Sequence, residues 1–330
     1  MLAVGPNGVG KTNLLESLHV GTQGFSPRTR TDAHLISFGE RVARIGVRGA
    51  RGTVPVEIEV TLEAGAGKKA KLNGAPLRAA EQLRAEIATL VFTTDRLGVV
   101  KGAPAVRRAY FDRALGRLTP ARAQLSADYG AAVAQRNASL RRVAGGFSTR
   151  DALAPWTEQV VELGAALVAA RRETLAVLGP LFAERAGELG VADAELRYEG
   201  EPPTLAGLEA RLERDLERGV TGLGPHLDDI VLASGARELR SFGSQGEQRL
   251  AMLALLLAEE ELITARRGFP PLLLLDDVLS ELDPARRRLL AERVRGAGQA
   301  LITATDAAML PADPDQLLEV SPGAVAEAGR

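Results

Sequence analysis

One segment constrains this chain more than any other: Gly5-Pro-Asn-Gly-Val-Gly-Lys-Thr12. It follows a short apolar stretch, Met1 to Val4, and runs into a helical one, Asn13 to Val20, with Leu14, Leu15 and Leu18 at helical spacing. Glycines at these offsets let the backbone turn tightly enough for successive N–H groups to point at phosphate oxygens. The N-terminus of the following helix adds its partial positive charge. Lys11 reaches β- and γ-phosphates as a point charge, and the Thr12 hydroxyl is placed to serve a magnesium ion. A chance glycine-rich turn is the competing reading, but it requires neither a strand before it nor a helix after it. The expected ligands are therefore ATP and Mg, held by Gly5, Pro6, Asn7, Gly8, Val9, Gly10, Lys11, Thr12 and Asn13.

Two later motifs extend this chemistry. Leu272-Leu-Leu-Leu-Asp276-Asp277 reads as a strand buried on both faces that ends in acids. Such a strand delivers a carboxylate to a metal beside the phosphate loop, so Asp276 is the expected Mg partner. Asp277 is the expected group that orients or deprotonates an attacking water, with Lys11 as the other catalytic candidate. Gly243-Ser-Gln-Gly-Glu-Gln-Arg249 opens a helix. Ser and Gly at a helix N-terminus make an anion site, although the same residues also serve as ordinary caps.

The order of these motifs resembles that of the ABC-type ATPases. That resemblance implies that Ser244, Gln245 and Gly246 of one copy close on the γ-phosphate held by a second copy. Ser280 and Asp283, in the Ser280-Glu-Leu-Asp283 run, would line the seam between the two. ATP then acts as the contact between copies, and only its differential binding to the closed state favours closure.

The remaining pattern gives the organisation. Val54 to Leu62 alternates apolar and polar residues as a half-buried strand does, and Asn73-Gly74 marks a hairpin turn. Thr89 to Phe92, Ile230 to Leu232 and Ala300 to Thr303 read as short strands; Leu250 to Ile263 and Ala285 to Arg295 read as helices. Between them lie two apolar stripes, Leu118 to Leu140 and Trp156 to Leu178, broken at Gly145-Gly146, which predict an antiparallel helical hairpin. The expected fold is α/β: an ABC-type P-loop ATPase head with a mixed sheet and flanking helices, plus a helical arm. Its expected parts are residues 1–115, 116–219 and 220–330.

Composition mainly excludes. The chain has 330 residues, 45% of them apolar and 25% charged, a globular composition. It has no cysteine, which removes disulfides and thiolate metal sites and favours a reducing cytoplasm. No apolar run approaches the ~20 residues of a membrane span. A net charge of −1 means that a nucleic-acid partner must be met by a local basic surface. Arg28, Arg30, Arg44, Lys68, Lys69 and Lys71 make the amino-terminal lobe locally basic, with Arg107 and Arg108 as possible additions. The competing reading is a solvated face balanced by nearby acids.

Three blocks resemble the RecF family: Leu90 to Pro104 continuing to Arg107-Arg-Ala-Tyr-Phe-Asp112, Gly224-Pro-His-Leu-Asp-Asp229, and Gly243 to Arg249. The resemblance spans nearly the whole chain. It implies a slow ATPase that dimerises on ATP, binds gapped or single-stranded DNA, and works with RecO and RecR to load RecA in DNA repair, replication and the SOS response. Other ABC-type repair ATPases and SMC-like chromosome ATPases are the alternative; the short arm and the absence of a cysteine pair for a metal hook count against the latter. Three departures from the family pattern stand out. Little precedes the phosphate loop, so either the start is misassigned or truncated or the sheet lacks its usual edge. Leu227 stands where the family has Arg. No His follows the strand ending at Thr303, where Thr303 and Thr305 fit the family tendency. Many ABC-type ATPases carry Glu at the position of Asp277; the shorter acid predicts slow turnover.

Overall fold

The structure, a computed structural model, describes residues 1–29, 31–51, 53–296 and 298–328; Arg30, one of the basic residues named above, lies outside them. The chain divides into two compact units, Met1–Arg96 with Glu260–Arg330, and Leu97–Glu259.

The first unit is built on a six-stranded sheet. Its strand order is Ala324–Glu327, Leu317–Ser321, Leu2–Val4, Ala300–Ala304, Leu272–Leu275 and Thr89–Phe92. Every neighbouring pair is parallel except the outermost, where Ala324–Glu327 runs antiparallel to Leu317–Ser321. Leu273, Leu274 and Leu275 are completely buried, as their unbroken apolar run requires. The helix Lys11–Gln23 packs Leu15 into a cluster with Ala3, Val91, Leu274, Leu301 and Val320. Leu2–Val4 is an interior strand, paired to Ala300–Ala304 on one side and to Leu317–Ser321 on the other.

The same unit carries an antiparallel sheet of Val42–Arg51, Val54–Glu63, Gly67–Leu72 and Ala75–Pro76. Ile58, Val60, Leu62 and Ala70 turn inward against Val20 and Leu83, which is the period-two pattern read from the sequence. Asn73 and Gly74 both take positive φ, 48° and 80°, as a two-residue hairpin turn of this hand requires. The Asn73 side chain adds a 2.8 Å bond from the Glu57 N–H.

The second unit is mainly helical: Pro104–Leu118, Leu125–Ala144, Ala154–Glu188, Leu205–Glu209 and Leu212–Arg218. The expected hairpin is present. The Arg136 guanidinium donates to Thr157 at 3.2 Å, while a Cβ on Gly164 would meet the Tyr129 ring at 3.2 Å, so the two long helices run in opposite directions. Tyr129, Val133, Val160, Leu167 and Leu208 form the core between them. Within this core Arg136 and Asp215 make a buried ion pair at 2.9 Å, with Thr221 completing the Arg136 contacts.

This unit also holds a sheet that the helical reading of 116–219 does not include. Ala194–Glu199 pairs antiparallel with Asp229–Ser234, which in turn pairs with Arg237–Glu238. The compact division therefore falls at 96/97 and 259/260, the second of these inside the helix Gln245–Arg267, and differs from the expected boundaries at 115/116 and 219/220.

Candidate nucleotide site

The phosphate loop leaves the interior strand Leu2–Val4 and enters the helix Lys11–Gln23. Gly8 and Gly10 take φ of 85° and 110°, which side-chain-bearing residues rarely adopt. At Gly5 a Cβ would stand 2.4 Å from the Val320 carbonyl, so the loop starts against a neighbouring strand at a distance only glycine allows. The helix has no side-chain cap and no acid in its first turn, so its positive end is left for an anion. The Lys11 ammonium folds across the loop and donates to the carbonyls of Gly5 (2.6 Å) and Pro6 (2.9 Å). Pro6, Asn7, Gly8 and Asn13 are exposed; Gly5, Val9, Gly10 and Thr12 are half-buried.

The acid-ending strand reaches the same place. Thr12 Oγ1 donates to Asp276 Oδ2 at 2.9 Å, and the contact to Oδ1 is 3.2 Å. Asp276 is further held by Thr303, whose hydroxyl donates to Oδ1 at 2.7 Å. Asp277 follows in a left-handed conformation, φ 49° and ψ 29°, with its side chain exposed. A hydroxyl and a carboxylate side by side are the hard oxygen donors that Mg²⁺ takes when phosphates and water complete its shell. Among the described residues no cluster of three or more His, Asp or Glu forms a ready metal cage, and two protein donors are what that mode of binding uses.

The Ser244 turn lies in the second compact unit and is open to solvent at Ser244, Gln245 and Gly246. It is a capping box: Ser244 N–H donates to Glu247 Oε2 at 2.8 Å, and Glu247 N–H donates to Ser244 Oγ at 3.2 Å. The bond from the Ser244 backbone N–H first, and then the Ser244 hydroxyl, hold the Glu247 carboxyl below its usual range. Gln248 donates to the carbonyls of Leu239 and Gly243 and fixes the approach to the turn. The spacing Ser-x-x-Glu was the sequence signal for this box.

Ser280 is exposed and its hydroxyl donates to the Asp277 carbonyl at 2.9 Å. Asp283 caps the helix Pro284–Gly296, accepting the N–H groups of Ala285 and Arg286. The backbone bond from Arg286 leads in holding its carboxyl below the usual range.

The basic residues separate into different settings. Arg28 is paired with Glu16 at 3.1 Å and lies 3.5 Å from Asn13 Oδ1, so it stands against the phosphate-loop helix. Lys68 faces Asp32 at 3.3 Å, and Lys71 faces Glu59 at 3.3 Å. Arg44, Thr61 and Lys69 stand opposite one another across three strands, and both cations are exposed. Arg107 does not belong to a basic surface: it is buried in a two-pronged pair with Asp229, at 2.7 and 2.6 Å. Burial alone would raise the Asp229 carboxyl, but the Arg107 contact and the Ile230 N–H together outweigh it and the net shift is downward. Arg108 donates to the Asp228 carbonyl, and burial, then nearby Arg171, lowers its guanidinium below the ordinary value. Leu227, at the family's Arg position, is exposed.

Comparison with known proteins agrees across the chain. The family model for the RecF/RecN/SMC N terminal domain matches residues 1–325. The DNA replication and repair protein RecF of Symbiobacterium thermophilum is 38% identical, over 92% of this chain and 84% of that protein. The RecF of Anaeromyxobacter dehalogenans is also 38% identical, over 98% of this chain and 91% of that one. Among solved structures, the recombination mediator protein RecF-ATP in the RecFOR pathway superposes with a TM-score of 0.89 at 26% identity, over 99% of this chain and 91% of that chain. An Smc head domain from Pyrococcus furiosus gives a TM-score of 0.57 at 17% identity, a likeness of fold.

Proposed function

Because the chain belongs to the RecF family of ABC-type ATPase heads, we propose that it is a DNA-binding repair ATPase in which ATP joins two copies. The observation that carries this reading is the meeting of Lys11, Thr12 and Asp276 at one place, from segments at opposite ends of the sequence. The loop amides and the first turn of Lys11–Gln23 bind the phosphates, and Lys11 exchanges its loop carbonyls for phosphate oxygens. Thr12 and Asp276 would hold Mg²⁺, which would neutralise charge on the phosphates. Asp277 orients or deprotonates the attacking water. Ser244, Gln245 and Gly246 of a second copy complete the γ-phosphate site, with Ser280 and Asp283 along the seam. The exposure of the Ser244 turn supports this part.

Hydrolysis is slow, since the Asp277 carboxyl is one methylene shorter than the Glu it replaces. A turnover well above about 10 per second, a typical enzyme value, would contradict a switch role. DNA is gripped through its phosphates, without base readout. By family, RecR, RecO and RecA are the partners, at gaps in DNA repair, replication and the SOS response, in the cytoplasm; no described helix is long and apolar enough to cross a membrane.

The deciding experiment measures retention of gapped DNA and RecR by the protein at moderate salt with ATP, ADP or no nucleotide. Retention with ATP alone supports the reading. Retention that ignores the nucleotide refutes it.

A further inference from the structure

Thr303 is completely buried in the strand Ala300–Ala304, in register with Ala3 of the loop-bearing strand. Its hydroxyl touches both acids. It donates to Asp276 Oδ1 at 2.7 Å and accepts the Asp277 N–H at 2.9 Å. A hydroxyl carries one proton and two lone pairs, so it makes both bonds at once; an apolar side chain of the same shape makes neither.

Each bond has a separate effect. The first holds Oδ1 of Asp276 and so fixes the plane of the carboxylate, whose Oδ2 makes the shorter, 2.9 Å contact with Thr12. The second anchors a backbone that needs anchoring. Left-handed φ is costly for a residue with a side chain, and persists where surrounding contacts determine it. At Asp277 those contacts are Thr303 on the N–H and Ser280 on the carbonyl.

We propose that Thr303 is a positioning residue for ATP hydrolysis: one hydroxyl fixes the carboxylate of Asp276 and the backbone turn that presents the carboxylate of Asp277. It acts through these two residues. The inference rests on the reading that this acid pair serves hydrolysis.

Two measurements on the full chain test it. The first is hydrogen exchange of the Asp277 amide without nucleotide or metal. Thr303→Val removes the acceptor and exchange rises by about tenfold or more, while Thr303→Ser keeps it protected. The second is steady-state ATP hydrolysis with Mg²⁺. Thr303→Val lowers kcat by about 10- to 100-fold, the usual cost of removing a group that orients a metal ligand, with KM for ATP nearly unchanged; Thr303→Ser restores kcat to within a few-fold. Should Thr303→Val fail to fold, Thr303→Cys takes its place, since a thiol is a poor donor and acceptor.

Wild-type kcat in Thr303→Val, or a Thr303→Ser as slow as the valine variant, overturns the inference. So does an Asp277 amide equally protected in all variants. The two ideas fail differently. Turnover that survives Asp277→Asn and Lys11→Ala removes the reading of the site. Turnover lost in Asp277→Asn but intact in Thr303→Val removes only the role of Thr303.

Discussion

Thr12 and Asp276 are 264 residues apart in the chain, yet the hydroxyl of one donates to the carboxylate of the other at 2.9 Å. The parallel sheet makes this possible. Leu2–Val4 and Leu272–Leu275 flank the same strand, Ala300–Ala304, and all three end on one side of the sheet. Asp276→Asn keeps size and shape but removes the charge. ATP binding measured without Mg²⁺ is expected to persist, while Mg²⁺-dependent turnover falls by about 100-fold or more. Unchanged Mg²⁺ dependence would show that Asp276 is not the metal partner.

Lys11 bridges two loop carbonyls in this structure, and the same ammonium is the phosphate contact proposed here. Lys11→Ala is expected to weaken ATP binding by about 10- to 100-fold, the range for loss of a charged hydrogen bond. Calorimetric titration with a non-hydrolysable ATP analogue reads this directly. The thermal midpoint of the free protein should move little, since the lysine holds the loop only through exchangeable contacts.

The Ser244 turn separates binding from association. Ser244→Arg puts a bulky side chain on a surface-exposed turn, leaving the phosphate loop intact. It should bind ATP with wild-type affinity and remain monomeric by sedimentation at concentrations where the wild type dimerises with ATP. A variant that dimerises normally would remove the two-copy site.

The sorted basic residues give different expectations for DNA. Arg44 and Lys69 are exposed and aligned in register on either side of Thr61, one strand apart from it each, whereas Lys68 is paired with Asp32. The double variant Arg44→Ala/Lys69→Ala should reduce the slope of log affinity against log salt by about 2, near one counterion per lost phosphate contact. Lys68→Ala should change that slope much less. Fluorescence anisotropy over a salt series makes the comparison, and equal slopes in all three proteins would exclude this face.

His226 gives the helical unit an acid-sensitive contact. Its Nδ1 lies 2.7 Å from the Tyr129 hydroxyl and its Nε2 lies 2.9 Å from the Thr221 carbonyl. Burial lowers its pKa below the ordinary 6.5, and Arg108 adds to this; the Thr221 carbonyl, Asp228 and Asp215 oppose it without reversing it. The unfolded chain therefore takes up a proton that the folded one resists. Stability should fall as pH drops below 6.5, and level off once the folded His226 also titrates. The difference in thermal midpoint between wild type and His226→Gln, followed from pH 7.5 to pH 5.5, isolates this contribution; parallel curves would rule it out.

The phosphate loop, the acid-ending strand and the hairpin of long helices were legible because each is a local pattern with a local cause. Gly8 and Gly10 announce their backbone angles, Leu272–Leu275 announces two-sided burial, and Asn73-Gly74 announces its turn. What escaped depends on partners distant in sequence. The lysines at 68 and 69 look alike in a string of letters, but strand alternation sends one toward Asp32 and the other to solvent. Arg28 reads as one more surface cation until the fold brings Glu16 beside it. Thr303 could be compared with the histidine found in other ATPases, but its hold on two acids required the register of three strands. The sheet containing Ala194–Glu199 was hidden because its pairing strand begins thirty residues further on, at Asp229.

The Arg107–Asp229 pair joins two of the three blocks by which the family was noticed. Arg107 is about 2% exposed and Asp229 about 17%. Removing one partner of such a pair strands the other charge in a poorly hydrated place, at a cost of about 3–5 kcal/mol. Asp229→Ala would thus lower activity in a cell by leaving fewer intact molecules, without altering any group at the phosphate loop. Residues that best mark the lineage can be the ones that keep it assembled, and a genetic screen scored only by survival after DNA damage would mistake them for the machinery.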